Sequence, residues 1–486
     1  MRHFAAFAIL HRTLALALFT LASATASAGP APFERTAEGL LFTLAGSNTV
    51  GARLAPSWAK AYLESKGAQG VFIESLSTPN EYRVKGRHGT RMVFIDVRAH
   101  GSSTGFKSLK ARSADIALSS RPIKDSEASA FGDGQNMRAA STEHVVAIDG
   151  LAVIVNPNNR VTELTVEQIA KIFAGKINNW KALGGPDRVI NIYARDDKSG
   201  TFDTFDSLVL GKAFSLSPRA KRYESNDELS DSVARDLSGI GFVGLASVRN
   251  AKALEVSDNN TAALAPKVLF VATEDYPLSR RLYMYTRGQP HQRYVKDFIA
   301  FAQGSKGQDI VETIGFVSQN PKSITVAVEE GPEQYQSLAK LGQRLSINFR
   351  FQPGKADLDN KALRDVERLA QHVKSLSRVS GSEAVHIQLV GFSNVESTDK
   401  RAQVLSSLRA TAVKSALFRF GVRTESVMGF GDHMRVASAS GSASAKNERV
   451  EVWLFNDEHL SAVDAIKAQI KSADYRLPAT VVSASH

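Results

Sequence analysis

Three times in this chain a short β-rich run ends in a loop of glycine and hydroxyl residues that opens a helix, and this repeat constrains the fold more than any other feature. Leu40-Leu41-Phe42-Thr43-Leu44 leads into Gly46-Ser47-Asn48-Thr49-Val50-Gly51, and Leu54, Trp58, Ala61 and Tyr62 follow at helical spacing. Val93 to Val97 leads into Gly101-Ser102-Ser103-Thr104-Gly105 and a helix with Phe106 and Leu109 on one face. Val189 to Ala194 leads into Arg195-Asp196-Asp197-Lys198-Ser199-Gly200-Thr201 and a helix carrying Phe202, Phe205, Leu208 and Val209. Such alternation, continuing from Leu40 to about Gln319, predicts α/β layers with largely parallel sheets. In open α/β sheets these loops gather at the carboxyl ends of the strands, where ligands bind.

The loop chemistry points to an anion. A helix N-terminus presents unpaired N–H groups and the positive end of the helix dipole. Glycine lets the backbone come close, and Ser or Thr hydroxyls donate without the bulk and hydration of lysine. Arg195 adds a bidentate clamp. Any one loop is explained by simple Ser or Thr capping, but three together with an arginine predict one tetrahedral oxyanion held by mostly neutral donors. The 60 Lys and Arg against 49 Asp and Glu give a net charge of +11. These residues are scattered, which argues against a nucleic-acid patch and leaves a general attraction for anions.

Residues 1–28 carry Arg2 and Arg12, an apolar stretch from Leu14 to Ala22, and Ala26-Ser27-Ala28 before Gly29, the pattern of a cleaved export signal. The apolar stretch is about half the ~20 residues a membrane span needs, so no span is expected after signal removal. The chain has no cysteine, which excludes disulfides, thiolate metal sites and a lipid-modified N-terminal cysteine. Its histidines lack close-paired ligand spacing, so neither metal nor cofactor is expected. With 43% apolar and 22% charged residues it has the composition of a soluble globular protein, here a periplasmic or secreted one. Around Glu329-Glu330-Gly331-Pro332 the pattern breaks, and an interdomain connection is expected over 326–342. A compact α+β unit follows over 343–457: a strand (Leu345 to Phe351), a helix (Leu363, Val366, Leu369, Val373, Leu376), a strand (Val385 to Phe392), a helix (Leu405, Leu408, Val413, Leu417) and a final strand (Val450 to Phe455). The tail 458–486 has one amphipathic stretch followed by Ala/Ser-rich residues and is expected to be peripheral.

Leu44-Ala45-Gly46-Ser47-Asn48-Thr49, Gly101-Ser102-Ser103-Thr104-Gly105, Ala114-Asp115-Ile116-Ala117-Leu118-Ser119-Ser120-Arg121 and Lys198-Ser199-Gly200-Thr201 resemble the binding loops of the periplasmic phosphate-binding proteins of ABC transporters. Ile154-Val155-Asn156-Pro157, Leu164 to Ile169, and Ile172-Phe173-Ala174-Gly175-Lys176-Ile177-Asn178-Asn179-Trp180 resemble the second lobe of that family. The resemblance implies a two-lobed periplasmic-binding-protein fold of type II over 36–325, with lobe I at about 36–147 and 270–325 and lobe II at about 148–269. It also implies that Ser47, Thr49, the Val50 amide, Ser103, Ser119, Arg195, Ser199, Gly200 and Thr201 surround a phosphate, with Asn48, Ser102, Ser120 and Arg121 beside them. In well-known members an aspartate follows the serine matching Ser119 and accepts from a proton-bearing phosphate oxygen, so rejecting sulfate. Here Ser120 stands in its place, which removes that charge repulsion. Asp115, Asp196 and Asp197 are the other candidate acceptors.

Asn348-Phe349, Val390-Gly391-Phe392-Ser393-Asn394, Leu405-Ser406-Ser407-Leu408-Arg409-Ala410, Gly429-Phe430-Gly431-Asp432 and Asn447-Glu448-Arg449-Val450-Glu451-Val452 resemble the OmpA-like peptidoglycan-binding domain. In that family an aspartate and an arginine grip the zwitterionic end of the wall peptide. Arg409 matches the arginine, but Asn394 replaces the aspartate and loses the charge-assisted half of its contact. Arg409 could equally be a helix residue paired with a nearby carboxylate. Arg449 reads as support for the fold, and Asp399 could replace the lost aspartate only if the loop folded back. The resulting expectation is a non-enzymatic phosphate receptor serving an ABC permease and localised at the cell wall or outer membrane. The competing readings are an exported phosphatase, with Ser199 or Thr201 activated by a base or metal, and an envelope structural protein with a vestigial anion site.

Overall fold

The computed structural model describes residues 39–132, 134–258, 261–290, 292–351, 357–379, 385–394, 398–439 and 444–472. The expected export signal and the end of the tail lie outside them. In the first lobe the strand Gly39–Gly46 pairs in parallel with Arg91–Arg98 on one side and Ile116–Ser119 on the other. The helix Leu54–Ser65 lies on this sheet with Trp58 and Tyr62 fully buried, and Trp58 Nε1 donates to Gly307 O at 2.8 Å. Burying aromatic side chains of this size contributes about 1.5–3 kcal/mol each.

The sheets are more mixed than the sequence pattern predicts. Gln69–Ser75, Glu81–His88 and Arg91–Arg98 form an antiparallel meander at the sheet edge. A second departure comes from the chain having to enter the second lobe and return. The strand Glu143–Val155 runs through both lobes. Residues 143–150 pair antiparallel with Ser279–Tyr285, and 151–155 with Gly239–Gly244. One continuous sheet therefore spans the hinge, and Glu143–Val155 is the strand that crosses it. In the second lobe Gly239–Gly244, Asn191–Arg195 and Lys221–Tyr223 are parallel, as expected. Phe205 stacks on Phe242 with ring centroids 3.9 Å apart, fixing the helix that begins at Gly200 against this sheet.

The C-terminal sheet places Arg449–Asn456 between Gln343–Arg350 and Val385–Gly391. Two helices, Asn360–Val379 and Asp399–Arg419, cover one face, and Val366, Leu369, Val413 and Leu417 meet Leu345, Ile347 and Phe349 there. Leu363 and Leu408, which the apolar periodicity assigns to this contact, are 49% and 56% exposed. The smaller Ala362 and Ala410 take their place and let the helices approach closely.

The opposite face corrects two expectations. The 326–342 stretch contains the helix Glu333–Leu341, and the tail begins with the helix Leu460–Ser472. Tyr335 and Leu338 from the first, and Val463, Ile466 and Ile470 from the second, pack on Phe392, Phe430 and Trp453. A sheet whose second face carries aromatic residues has to be covered on both sides. Glu451, buried beneath them, accepts from Tyr335 Oη at 2.8 Å and Trp453 Nε1 at 3.1 Å.

Where the C-terminal domain meets the first lobe, His144, Arg364 and Arg368 line a cavity of about 390 Å³. Burial and then the Arg364 charge push His144 down from 6.5 to about 4. Unfolded chains take up this proton below 6.5, whereas the fold refuses it until about 4. Stability from this group is therefore present above pH 6.5 and lost as pH falls toward 4, by about 3 kcal/mol. Urea denaturation at pH 7 and pH 4.5 should show that loss, and His144→Gln should flatten it; an equal loss in both proteins would assign it to other groups.

Candidate functional site

The loops that open the helices come together between the lobes. Gly46 has φ of +139°, and a Cβ there would lie 2.1 Å from Leu118 O, so the first loop needs glycine. Ser47 N–H donates to Leu118 O at 2.9 Å, Gly101 N–H to Gly46 O at 2.8 Å, and Asn48 Nδ2 to Ala99 O at 2.5 Å. Asn48 thus ties the first loop to the second rather than presenting its amide to the cleft. The Val50 side chain is fully buried in the first-lobe core. Ser102 Oγ accepts from Ser120 N–H at 3.2 Å and lies 3.5 Å from Ser120 Oγ. From the second lobe, Thr201 Oγ1 stands 3.0 Å from Thr49 Oγ1. Ser199 Oγ accepts from the amides of Thr201 and Phe202, so its own proton is left to donate.

Two neighbouring buried guanidiniums accompany these hydroxyls, one of them in contact with Thr201. Arg195, 1% exposed, donates from Nε to Tyr223 O at 3.1 Å and from Nη2 to Glu224 O, while its Nη1 is buried with no partner. Burial pulls this guanidinium down to about 10; Asp196 opposes the fall and the neighbouring Arg280 adds to it. Arg280 Nη1 donates to Thr201 Oγ1 at 2.9 Å, while its Nε and Nη2 donate to Asp149 Oδ2 at 2.9 and 2.6 Å. Asp149 is fully buried and also accepts from Leu245 N–H. Loop reading missed both Asp149 and Arg280. The available signal was Asp149 inside the apolar run of Glu143–Val155, a placement that is rare unless the charge is paired.

Arg121, expected beside the anion, has another task. Its Nε donates to Asp203 at 2.6 Å, its two Nη atoms to Glu127 at 2.7 Å each, and further bonds go to Pro122 O and Ser103 Oγ. These five bonds use all five guanidinium N–H groups. Because Asp203 belongs to the second lobe, Arg121 latches the lobes together, and Lys124 adds a second contact to Asp203 at 2.9 Å. Ser103 accepts from this latch, and Ser119 Oγ donates to Arg121 O at 2.7 Å within its own turn. Of the three candidate acceptors, Asp115 accepts from Thr43 N–H and Asp197 pairs with Arg222 at 87% side-chain exposure, while Asp196 accepts from Lys198 N–H and keeps its other oxygen 3.9 Å from Arg195 Nη2.

In the C-terminal domain Arg409 Nη2 is bonded to Glu448 at 2.8 Å and its guanidinium lies over Phe351. Asn394 donates to Ala439 O and accepts from Asn447 Nδ2 at 3.1 Å. The pair is brought near the adjacent residues Asn447 and Glu448, but a carboxylate of the chain itself already holds the arginine. Arg449 is buried, pairs with Glu451 at 3.1 Å and covers Phe392. Asp399 opens the helix Asp399–Arg419 as an exposed first-turn residue.

Two α/β lobes joined by two crossings of the chain, closed on hydroxyls and a buried guanidinium with one unpartnered nitrogen, define a periplasmic-type binding protein for an oxyanion. Residues 72–306 match the model of the PBP superfamily domain and residues 350–449 that of the OmpA family. The chain is 33% identical to the phosphate-binding protein PstS of Borreliella burgdorferi over 45% of its own length and 77% of that protein's. It is 30% identical to protein SphX of Synechococcus elongatus, over 56% and 81%. It is also similar to the crystal structure of a putative phosphate ABC transporter substrate-binding protein from Clostridium perfringens, with 27% identity, a TM-score of 0.47, and coverage of 58% of this chain and 99% of that one. The chain belongs to the phosphate-binding protein family, extended by a C-terminal domain of the OmpA family.

Proposed function

We propose that this chain captures inorganic phosphate between its lobes in the cell envelope and hands it to an ABC permease, without chemical turnover. The observation that carries the reading is the buried Arg195, whose Nη1 has no partner and whose neighbour Arg280 donates to Thr201 Oγ1, the hydroxyl that meets Thr49 of the other lobe. An oxyanion there would satisfy the arginine and accept from several neutral donors, which hold it without competing hydration. The names of the relatives support phosphate as the anion. Among the described residues no helix is long and apolar enough to cross a membrane. The phosphatase reading is disfavoured because the Thr201 oxygen contacts the Arg280 cation rather than a base, and Ser199 Oγ accepts from two amides.

Equilibrium dialysis with labelled phosphate, competed by arsenate and sulfate, tests the proposal. Saturable phosphate binding is expected, and its absence would sink the reading. Strong competition by sulfate would show that Ser120 has cost the site its discrimination. For the C-terminal domain we propose attachment to peptidoglycan, which requires the wall peptide to displace Glu448 from Arg409. Equal retention of wild type and Arg409→Ala on purified peptidoglycan would refute attachment through that arginine.

Gly200 supplies a further test. A Cβ at this position would lie 2.2 Å from Ser102 Oγ and 2.5 Å from Ser120 Oγ, both in the other lobe. Gly200→Ala is therefore expected to hold the lobes apart and weaken phosphate binding by about tenfold or more, the equivalent of one lost hydrogen bond to a charged group. Calorimetric titration would show it, with the second lobe otherwise folded; unchanged affinity would mean that binding does not need this closure.

A further inference from the structure

The chain returns from the second lobe to the first through Thr273 to Leu278, and this crossing runs into the C-terminal sheet. Asp275, 2% exposed, accepts from Arg344 Nη2 at 2.8 Å, Asn348 Nδ2 at 3.0 Å and Arg350 Nη2 at 3.1 Å, with Arg449 Nε at 4.0 Å. The backbone is held as well. Thr273 O accepts from Asn348 Nδ2 at 3.1 Å and Arg350 Nη2 at 2.8 Å, and Lys446 Nζ donates to Tyr276 O at 3.0 Å and Pro277 O at 2.7 Å. Glu274 sits at φ of +61°, a conformation that persists in a non-glycine residue only where its surroundings dictate it. Its carboxylate is fixed by Arg281 at 2.5 and 2.9 Å.

The C-terminal strand shows that this face is built for the crossing. Along Gln343–Arg350, Leu345, Ile347 and Phe349 point to the helices, while Arg344, Asn348 and Arg350 point the other way. Those arginines are 5% and 6% exposed although they lie on the outer face, because Thr273 to Pro277 covers them. Buried arginines without a carboxylate would be costly; Asp275 supplies one. The same domain touches the second lobe, where Ser438 N–H donates to Asp258 at 2.9 Å, and the first, where Asn360 Nδ2 donates to Glu143 at 3.0 Å and Arg368 to Gln319 at 3.1 Å.

What the crossing leads to is the anion site. Tyr276 Oη donates to Leu151 O at 3.1 Å at the point where the other crossing strand changes lobes. The strand Ser279–Tyr285 follows, and its second residue is Arg280, bonded to Thr201. A grip on Asp275 therefore fixes the stem from which Arg280 reaches the site. Nothing in wall attachment requires such a grip.

We propose that the C-terminal domain is a positioning element for oxyanion capture: Arg344, Asn348, Arg350 and Lys446 hold the Thr273–Pro277 crossing so that Arg280 stands against Thr201. Asp275 is the positioning residue, acting through Arg280 and not through contact with the anion. The effect on affinity rests on the phosphate reading above; the grip on the crossing does not.

Both parts are tested in the full chain with Asp275→Asn and with Lys446→Met, which removes the two carbonyl contacts without leaving a buried charge unpaired. Asn360→Ala, at the separate contact with the first lobe, is the control. Hydrogen exchange of the Ser279–Tyr285 amides and phosphate affinity by calorimetry are the readouts. Exchange about tenfold faster and affinity about tenfold weaker are expected in both variants and in neither respect for the control, as for loss of a charge-assisted hydrogen bond. Should Asp275→Asn fail to fold, Lys446→Met decides. Unchanged exchange in Lys446→Met overturns the grip, and faster exchange with wild-type affinity overturns the positioning role. A wild-type chain that binds no phosphate would refute the functional reading, and the grip would still stand or fall on the exchange data.

Discussion

Replacing Arg195 with methionine is expected to raise the phosphate dissociation constant by about two to three orders of magnitude, while the ligand-free protein melts within a few degrees of wild type. The two effects separate because this guanidinium is poorly compensated until the anion arrives. It is 1% exposed, its nearest carboxylate, Asp196, stands 3.9 Å away, and Arg280 repels it. Its bonds to the carbonyls of Tyr223 and Glu224 return part of the desolvation cost. Methionine loses those bonds but relieves the like-charge contact, so the empty protein changes little. Bound phosphate loses its principal countercharge, and breaking a buried charge pair typically costs about 3–5 kcal/mol. Calorimetric titration and thermal melts of the two proteins check this; affinity within threefold of wild type would remove Arg195 from the site.

Asp149→Asn should act in the opposite order, on the empty protein first. Asp149 is fully buried and neutralises Arg280 through two bonds to one oxygen, its other oxygen holding Leu245 N–H. Without its charge, two cations face each other in a buried site, and a loss of about 3–5 kcal/mol is expected. Phosphate supplies negative charge at the same place and binds only the folded form, so added phosphate should narrow the gap between variant and wild type. Denaturation with and without saturating phosphate measures it. An equal deficit in both conditions would show that the anion does not sit against Arg280.

These residues mark where the sequence stopped being readable. The Gly-Ser-Thr loops were legible because helix opening is local: Ser199 caps the residues next to it. Arg280 and Thr201 are 79 positions apart, and Arg280 and Asp149 are 131 apart, so no spacing rule connects them. The family resemblance places Arg121 beside the site, but its partners Glu127 and Asp203 are assigned only by the closed lobes. In the C-terminal domain, a plain connection over 326–342 and a peripheral tail would make the unit a sheet with one open face. It is instead a sheet with two covered faces, and the second cover comes from segments whose short apolar patterns, Tyr335 with Leu338 and Val463 with Ile466, looked peripheral.

The pairing of Ser323–Ile324 with the first strand of the C-terminal sheet leaves almost no free chain between the two domains. With Asp275, Asp258 and Glu143 also engaged, the receptor cannot swing on a leash. The hinge side of the clamp, at Thr273 to Pro277, faces its own C-terminal domain. Any surface that domain rests on thereby also fixes the orientation in which the two lobes are presented.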